Sequence, residues 1–275
     1  MTTEHERAAT RVALGLEYDG AAFCGWQTQP DGCAVQDRLE AALSEVAGEP
    51  VTTVCAGRTD AGVHALGQVV HFDTRAARPL SAWVRGTNAL LPPGVAVNWG
   101  QGVRSDFHAR YSARERCYRY VLLNRAVRPA AEHGRVGWFH LPLDVERMRV
   151  AARALIGEHD FSAFRSSACQ ARSPVRELRR LDIERRGDYV LFDFAANAYL
   201  HHMVRNIVGA LVYVGKGKHP PEWLRAVLEN RDRTRAAPTF EAAGLYLTRV
   251  VYDAVWALPA ATGAPLPQFA GLTHS

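Results

Sequence analysis

Lysine is nearly missing from this sequence, which contains only Lys216 and Lys218 among its 33 basic residues. Arginine supplies the rest of the positive charge, and we attribute that preference to the codon usage of a GC-rich genome. The excess of positive charge is a separate observation, because the 275-residue chain carries a formal net charge of +5. A basic balance of this kind favours a polyanionic partner.

The sequence also lacks the patterns that mark several common classes of protein. Its five cysteines are odd in number and none forms a Cys-x-x-Cys pair, which argues against a disulfide framework or a zinc cluster and fits a reducing compartment. There is no Gly-Lys-Ser/Thr, and no Gly-x-Gly-x-x-Gly opens a helix, so neither a P-loop nor a dinucleotide-binding fold is indicated. No apolar run is long enough to cross a membrane, and residues 1–10 are too polar for a signal peptide. We therefore expect a soluble cytoplasmic protein.

Hydrophobic periodicity in the first hundred residues predicts a βαββαβ order. In residues 12–18 the large apolar side chains of Val12, Leu14, Leu16 and Tyr18 alternate with Ala13, Gly15 and Glu17, which is the period of a half-buried strand. Apolar side chains recur at helical spacing after residue 34. The predicted elements are a strand at 12–18, a helix at 34–46, strands at 51–55 and 68–72, a helix at 79–91 and a strand at 95–103. This is the order of a split βαβ, or ferredoxin-like, unit.

A similar order can be read in the second half of the chain, where Gly187-Asp188 forms a plausible hairpin turn. The predicted elements are a strand at 114–123, a helix at 143–156, strands at 178–184 and 189–195, helices at 201–214 and 221–228, and a strand at 245–251. The predicted fold class is α+β: two ferredoxin-like halves side by side, with an antiparallel-rich central sheet flanked by helices and a cleft between the halves. We place the halves at 11–105 and 106–257, and tails at 1–10 and 258–275.

The loop between the second and third predicted strands is the strongest candidate for a functional site. Gly57 and Gly62 indicate a loop of special shape, because glycine accepts positive φ and close backbone approach. Arg58 and Asp60 lie at the tip, and a charged pair on a loop of fixed shape is a place to look for chemistry. Ordinary turn chemistry also accounts for Thr-Asp-Ala-Gly, so the loop alone leaves both interpretations open.

Residues 57–64, Gly-Arg-Thr-Asp-Ala-Gly-Val-His, closely resemble the signature of TruA-type tRNA pseudouridine synthases. Further segments resemble that family in the same order along the chain, over about residues 11–252. They are Glu17-Tyr18-Asp19-Gly20, Gly25-Trp26-Gln27, Asp106-Phe107-His108-Ala109-Arg110, Tyr118-Arg119-Tyr120, Asn197, His201 to Gly209, and Gly244-Leu245-Tyr246-Leu247. A lone Arg-Thr-Asp would be weak evidence for the family, whereas several segments that match in the same order are specific evidence.

The resemblance implies an activity and its requirements. Enzymes of this family convert uridine to pseudouridine at positions 38, 39 and 40 of the tRNA anticodon stem-loop. The N1–C1′ bond breaks, the uracil turns, and C5 joins C1′. The family needs no cofactor and no metal, and it works as a homodimer that contacts tRNA with both subunits.

The resemblance also implies roles for particular side chains. Asp60 is the essential carboxylate, acting as a nucleophile or a base, and Arg205 is the candidate partner that keeps it ionised. Tyr118 stacks on the uracil and removes the hydrogen left on C5. Because the target base must leave the stack, Arg58 fills the gap and holds the backbone while Leu245 forms an apolar wall. The remaining candidate RNA contacts are Arg110, His201 and His202.

Several alternatives remain open at this stage. A strand tyrosine such as Tyr118 is more often a packing residue, and Arg205 could be a solvated helix arginine. Adjacent helix residues such as His201 and His202 point about 100° apart, so they do not match an i, i+4 metal pair. The function could be pseudouridine synthesis on another RNA, or RNA binding by an RRM-like domain without catalysis. The sequence does not choose between attack at C1′, attack at uracil C6 and a glycal route.

Overall fold

The computed structural model describes residues 9–259, so most of the two predicted tails lies outside the described residues. The chain divides into two compact units. Within the described range, the N-terminal unit contains residues 9–114 and 249–259, and the C-terminal unit contains residues 115–248. Of the helices that the structure describes, none combines the length and the apolarity needed to cross a membrane.

The N-terminal unit is built around an antiparallel sheet. Its elements are β1 (Thr10–Tyr18), α1 (Val35–Ala47), β2 (Val54–Cys55), β3 (His64–Thr74), α2 (Thr87–Leu90, preceded by a π-helical turn at Ala82–Gly86) and β4 (Val95–Val103). The strands lie in the order β4-β1-β3-β2, and every neighbouring pair is antiparallel. Since β3 lies between the two strands that α1 connects, this unit is a split βαβ.

Helix α1 covers the sheet of the N-terminal unit with an apolar face. Leu39 and Leu43 of the helix are fully buried, as are Leu14 and Phe72 of the sheet. Ala34 occupies the N-cap position just before α1 and has no hydroxyl to cap the first turn. The carboxylate of Asp37 accepts a 2.9 Å hydrogen bond from the Ala34 N–H and so satisfies one of the free amides at this end.

The C-terminal unit repeats the same arrangement with additions. Its elements are β5 (Ala113–Asn124), β6 (Gly137–Phe139), α3 (Val145–Ala152), β7 (Gly157–Asp160), β8 (Val175–Arg186), β9 (Tyr189–Ala196), α4 (Met203–Gly215), α5 (Trp223–Asn230) and β10 (Leu245–Tyr252). Strands β5, β9, β8 and β7 pair antiparallel in that order, and β6 lies parallel to β5. The start of β10 lies beside β5, since the Val121 N–H donates to the Gly244 carbonyl at 2.8 Å. Because β9 lies between β5 and β8, a second split βαβ is present.

The predicted fold class is confirmed, because the structure is α+β and its strands pair mostly in antiparallel fashion. The differences are local. The helix predicted at 79–91 is confirmed over residues 80–90, with a π-helical turn at Ala82–Gly86 inside it, whereas the strand predicted at 51–55 covers only Val54–Cys55. Strand β3 begins earlier than predicted, at His64.

One disulfide is present in the described chain, although the odd cysteine count argued against a disulfide framework. Cys24 and Cys33 are bonded, with their Cα atoms 5.5 Å apart. The other three cysteines, at positions 55, 117 and 169, are free. An odd count leaves one thiol unpaired but does not forbid a single bond, so composition could not exclude this pair.

Residues 106–114 belong to the N-terminal unit, whereas the sequence analysis placed them in the second half. The segment is attached to β3 by His71, whose Nδ1 accepts a 3.1 Å hydrogen bond from the Ala109 N–H. Phe107 is fully buried and its ring contacts those of Tyr252 and Trp256 at centroid distances of 5.3 and 5.2 Å. These contacts explain why the unit continues past β4.

His71 makes the stability of the fold dependent on pH. Burial, and to a smaller extent the charges of Arg11 and His108, lower the pKa of His71 from 6.5 to about 4. Between these values the unfolded chain binds a proton that the folded chain does not, so stability falls as the pH drops through this window. We expect His71→Asn to reduce that loss by up to roughly 3 kcal/mol, as measured by urea unfolding between about pH 7 and pH 4. An unchanged pH dependence, equal to that of the exposed-site control His133→Asn, would contradict the assignment.

Candidate functional site

The loop that carries Asp60 joins β2 to β3 in the N-terminal unit. The Ala56 N–H donates to the Val69 carbonyl at 2.8 Å, and the Val63 N–H donates to the Asp60 carbonyl at 3.1 Å. Gly62 adopts a φ of 77°, the left-handed conformation that the sequence pattern predicted for this turn. Asp60 is half-buried at the tip and Arg58 is exposed.

The segment that follows β1 contacts the other side of the same loop. The Trp26 N–H donates to the Thr59 carbonyl at 3.0 Å, and the Trp26 ring is fully buried. Gly25 has a φ of 103°, and a Cβ on this residue would lie 2.9 Å from the Thr59 oxygen. The backbone on either side of Asp60 is therefore in close contact with a segment about 35 residues earlier, which requires a glycine at this point.

A buried hydrogen-bond network holds the loop from below. The Gln68 side chain is fully buried in β3, and its amide nitrogen donates to the Gly57 carbonyl at 2.7 Å and to the Tyr18 hydroxyl at 3.3 Å. That hydroxyl lies 2.9 Å from the hydroxyl of Thr59. Burial raises the pKa of Tyr18 well above its ordinary value, so the phenol stays protonated. The network therefore fixes the residues on both sides of Arg58.

Two of the predicted RNA contacts affect the pKa of one thiol in the N-terminal unit. Burial raises the pKa of Cys55 to about 12, and the positive charges of Arg58 and Arg110 oppose that rise. Both arginines are exposed and belong to the N-terminal unit.

The C-terminal unit contains the candidate tyrosine. Tyr118 lies in β5 opposite Phe194 of β9, and its side chain is buried. Its ring meets the ring of Tyr199 edge to face, with centroids 5.0 Å apart. Leu245, at the start of β10, is also buried. Packing therefore fixes the orientation of the Tyr118 ring. This orientation is compatible with a packing role and with the predicted contact to the uracil.

The start of helix α4 positions Arg205 and the two adjacent histidines. Arg205 is half-buried and its Nε donates to the Phe240 carbonyl at 2.9 Å. The helix begins at Met203 rather than at His201, because His202 adopts a φ of 64°. His201 and His202 therefore lie outside the helix, contrary to the prediction of a helix from residue 201, and their ring centroids are 4.0 Å apart.

Three arginines of the segment 114–119 are less available to RNA than the basic composition of the chain suggests. Arg119 forms a two-point ion pair with Asp193 at 2.7 and 2.9 Å, and Arg114 pairs with Asp253 at 2.7 Å. Arg116 is buried and donates to the Asn197 carbonyl at 2.7 Å. The net positive charge read from the sequence does not reveal which arginines already have partners within the protein.

Sequence reasoning did not single out Gln68. A glutamine between apolar β3 residues looks like an ordinary strand position. The available signal was its place immediately before Val69-Val70, where a polar side chain on a buried strand needs internal partners. The structure shows that those partners are the Gly57 carbonyl on the Asp60 loop and the Tyr18 hydroxyl at the end of β1.

Comparisons with known proteins agree with these features. A family model described as tRNA pseudouridine synthase matches residues 16–112 and 151–253. The tRNA pseudouridine synthase A of Thiobacillus denitrificans is 64% identical over 249 residues, covering 90% of this chain and 96% of that protein. The proteins of the same name from Nitrosomonas europaea and Paraburkholderia phymatum are 60% and 58% identical, covering 90% and 94% of this chain and 92% and 97% of theirs.

Among solved structures, an archaeal box H/ACA sRNP Nop10-Cbf5 complex matches with a TM-score of 0.37 at 13% identity, covering 86% of this chain and 47% of that one. This likeness is too low to carry an argument. The family model's first matched segment contains Asp60, Arg58 and Arg110, the second contains Arg205 and Leu245, and Tyr118 falls between them.

Removal of the Gln68 amide tests how firmly the loop is held. Gln68→Leu keeps the apolar packing but removes the buried donor to the Gly57 carbonyl and one of the two partners of the Tyr18 hydroxyl, which keeps its contact with Thr59. We expect the free energy of unfolding to fall by about 1–3 kcal/mol, measured by urea denaturation. Gln27→Leu, at an exposed position in the same unit, is the matched control. Equal stabilities of the two variants would show that the network contributes nothing.

Proposed function

Because this chain belongs to the tRNA pseudouridine synthase family, we propose that it isomerises uridine to pseudouridine at positions 38, 39 and 40 of the tRNA anticodon stem-loop. The family predicted from the sequence is confirmed, and the chain is an isomerase that acts on tRNA uridine. The observation that carries the proposal is the position of Asp60, which lies within the matched segment on a loop held by Thr59, Gly57 and Gln68.

The reaction rearranges one nucleotide without a net gain or loss of atoms. The N1–C1′ bond breaks, the uracil turns, and a C5–C1′ bond forms. C5 then carries both its original hydrogen and the sugar carbon, so a base must remove that hydrogen to restore the ring, and N1 takes up a proton. Since no electrons are transferred, the isomerisation needs no oxidant or reductant, and we propose that it uses no cofactor or metal.

Asp60 is the proposed carboxylate for the first step. A carboxylate can attack C1′, attack C6 of the uracil, or remove the 2′ hydrogen and open a glycal route. Each route needs the same property, a carboxylate held at a fixed point against the nucleotide. The hydrogen bonds at Thr59 and Val63 fix the backbone on either side of Asp60, which supports this role for the residue.

Tyr118 and Arg205 are the proposed partners of the carboxylate. The Tyr118 ring would stack on the uracil while its hydroxyl accepts the hydrogen from C5. The guanidinium of Arg205 would keep Asp60 ionised. The ordered ring of Tyr118, packed against Tyr199, supports a positioning function because a stacked base needs a rigid platform.

The remaining predicted residues would hold the RNA. Arg58 and Arg110 are exposed, and the guanidinium of each would bind a phosphate of the RNA. Arg58 would also occupy the space left by the flipped base, and Leu245 would form the wall beneath it. His201 and His202, at the start of α4, would line the path of the backbone.

We further propose that the enzyme is a cytoplasmic homodimer. Subunits of this family cooperate in holding one tRNA, which is the basis of the proposal. Sedimentation equilibrium with and without tRNA measures the assembly state directly, and a monomer throughout would contradict it.

Replacement of Asp60 tests the chemistry. Asp60→Asn keeps the size and the turn but removes the negative charge and the basic oxygen. We expect the release of tritium from tRNA labelled at uridine C5 to fall roughly 1,000-fold or more, whereas tRNA binding persists. Asp188→Asn, in an exposed hairpin turn, is the matched control and should react like the wild type. Normal turnover in Asp60→Asn would refute the mechanism.

Substrate choice tests the proposed positions. Wild-type protein is assayed on tRNA transcripts with a single uridine at position 38, 39 or 40, and on ribosomal RNA fragments. We expect tritium release from these tRNAs alone. Release from the ribosomal fragments, or no release from the tRNAs with uridine at 38, 39 or 40, would contradict the proposed positions.

A further inference from the structure

A short turn after β4 holds an exposed tyrosine in a fixed position. The Nδ1 atom of His108 accepts hydrogen bonds from the N–H groups of Arg110 and Tyr111, both at 3.2 Å. The Ser112 N–H donates to the His108 carbonyl at 2.8 Å, and the His108 N–H donates to the Ser112 hydroxyl at 3.0 Å. Each of these bonds closes the turn on itself, so its backbone is ordered before any ligand binds.

Tyr111 projects from this turn with its ring largely open to solvent. The residue is 76% exposed, the highest value among the large hydrophobic side chains of the described residues. Its ring is braced on one side by the His108 imidazole, with centroids 4.3 Å apart and planes 32° from parallel. The guanidinium of Arg110 lies 5.6 Å from the ring centre. The ring is therefore supported by its own turn while much of its surface remains free.

A single exposed apolar side chain usually needs no explanation, and Tyr111 differs from that ordinary case in its surroundings. Val127 and Val255, which are 70% and 65% exposed, have no aromatic face to offer a base. Tyr111 lies next to Arg110, whose guanidinium is 5.6 Å from the ring centre. An ordered aromatic ring beside a guanidinium group provides the two contacts that an unpaired nucleotide requires, a stacking surface and a phosphate partner.

We propose that Tyr111 is a stacking platform for the base of an unpaired RNA nucleotide, with Arg110 holding the phosphate next to it. The proposal depends on the function proposed above in one respect, namely that the RNA bound is the substrate tRNA. The ring loses little conformational freedom on binding, because the turn already fixes its backbone and His108 limits its rotation. Stacking of this kind tolerates any base, since every base has a π-face.

The binding test compares variants of the full chain that separate stacking from apolar contact and from charge. Fluorescently labelled tRNA is titrated with the wild type, Tyr111→Phe and Tyr111→Leu. We expect Tyr111→Phe to bind within about twofold of the wild type and Tyr111→Leu to bind about tenfold more weakly, since only the aromatic face is lost. Val127→Ser, at a similarly exposed position in the other unit, is the control and should bind normally.

Salt dependence and base removal then distinguish the two contacts. Tyr111→Leu should leave the slope of log affinity against log salt unchanged, whereas Arg110→Ala should reduce it by about 0.7 to 0.9. With an anticodon stem-loop whose loop nucleotides are abasic, the difference between wild type and Tyr111→Leu should disappear.

Three results would overturn the inference: Tyr111→Leu binding as tightly as the wild type, Tyr111→Phe losing as much affinity as Tyr111→Leu, or the difference persisting on abasic RNA. These outcomes are independent of catalysis. Wild-type protein that binds tRNA but releases no tritium would refute the proposed function and leave the stacking contact standing.

Discussion

The structure of the candidate site depends on one buried amide. Gln68 lies in the middle of β3, where water cannot replace its partners, and its nitrogen reaches both the Gly57 carbonyl and the Tyr18 hydroxyl. A buried polar group is costly unless its hydrogen bonds are made. The only low-energy position of the loop is therefore the one that satisfies Gln68. In this way the sheet determines where Asp60 lies, although Asp60 itself is only half-buried at the tip.

Much of the fold could be predicted because the hydrophobic pattern and the turn residues agree. The strand predicted at 12–18 and the turn predicted at Gly187-Asp188 both form, as β1 and the β8–β9 hairpin, although β1 is buried on both faces rather than on one. The helix predicted at 79–91 is confirmed over residues 80–90, and periodicity did not reveal the π-helical turn within it. The place of residues 106–114 could not be predicted, since it depends on His71 accepting a hydrogen bond from Ala109, a contact across 38 positions.

The candidate site was predictable where chemistry appears in the sequence as a motif, and unpredictable where it depends on packing. Asp60 and Arg58 lie in a contiguous signature, so the resemblance identified them. Tyr111 carries no such mark, and its exposure follows from hydrogen bonds within its own turn. The arginines illustrate the same limit. Arg110 is exposed, whereas Arg119 is half-buried beside Asp193, and nothing in their local sequence predicts that difference in exposure.

The contact between Gly25 and Thr59 makes the shape of the Asp60 loop depend on a residue without a side chain. Any substituent at this position would meet the Thr59 oxygen at 2.9 Å, and the φ of 103° disfavours every other amino acid. A mutation of Gly25 would displace the turn that carries Asp60 while leaving every atom of the Asp60 side chain unchanged.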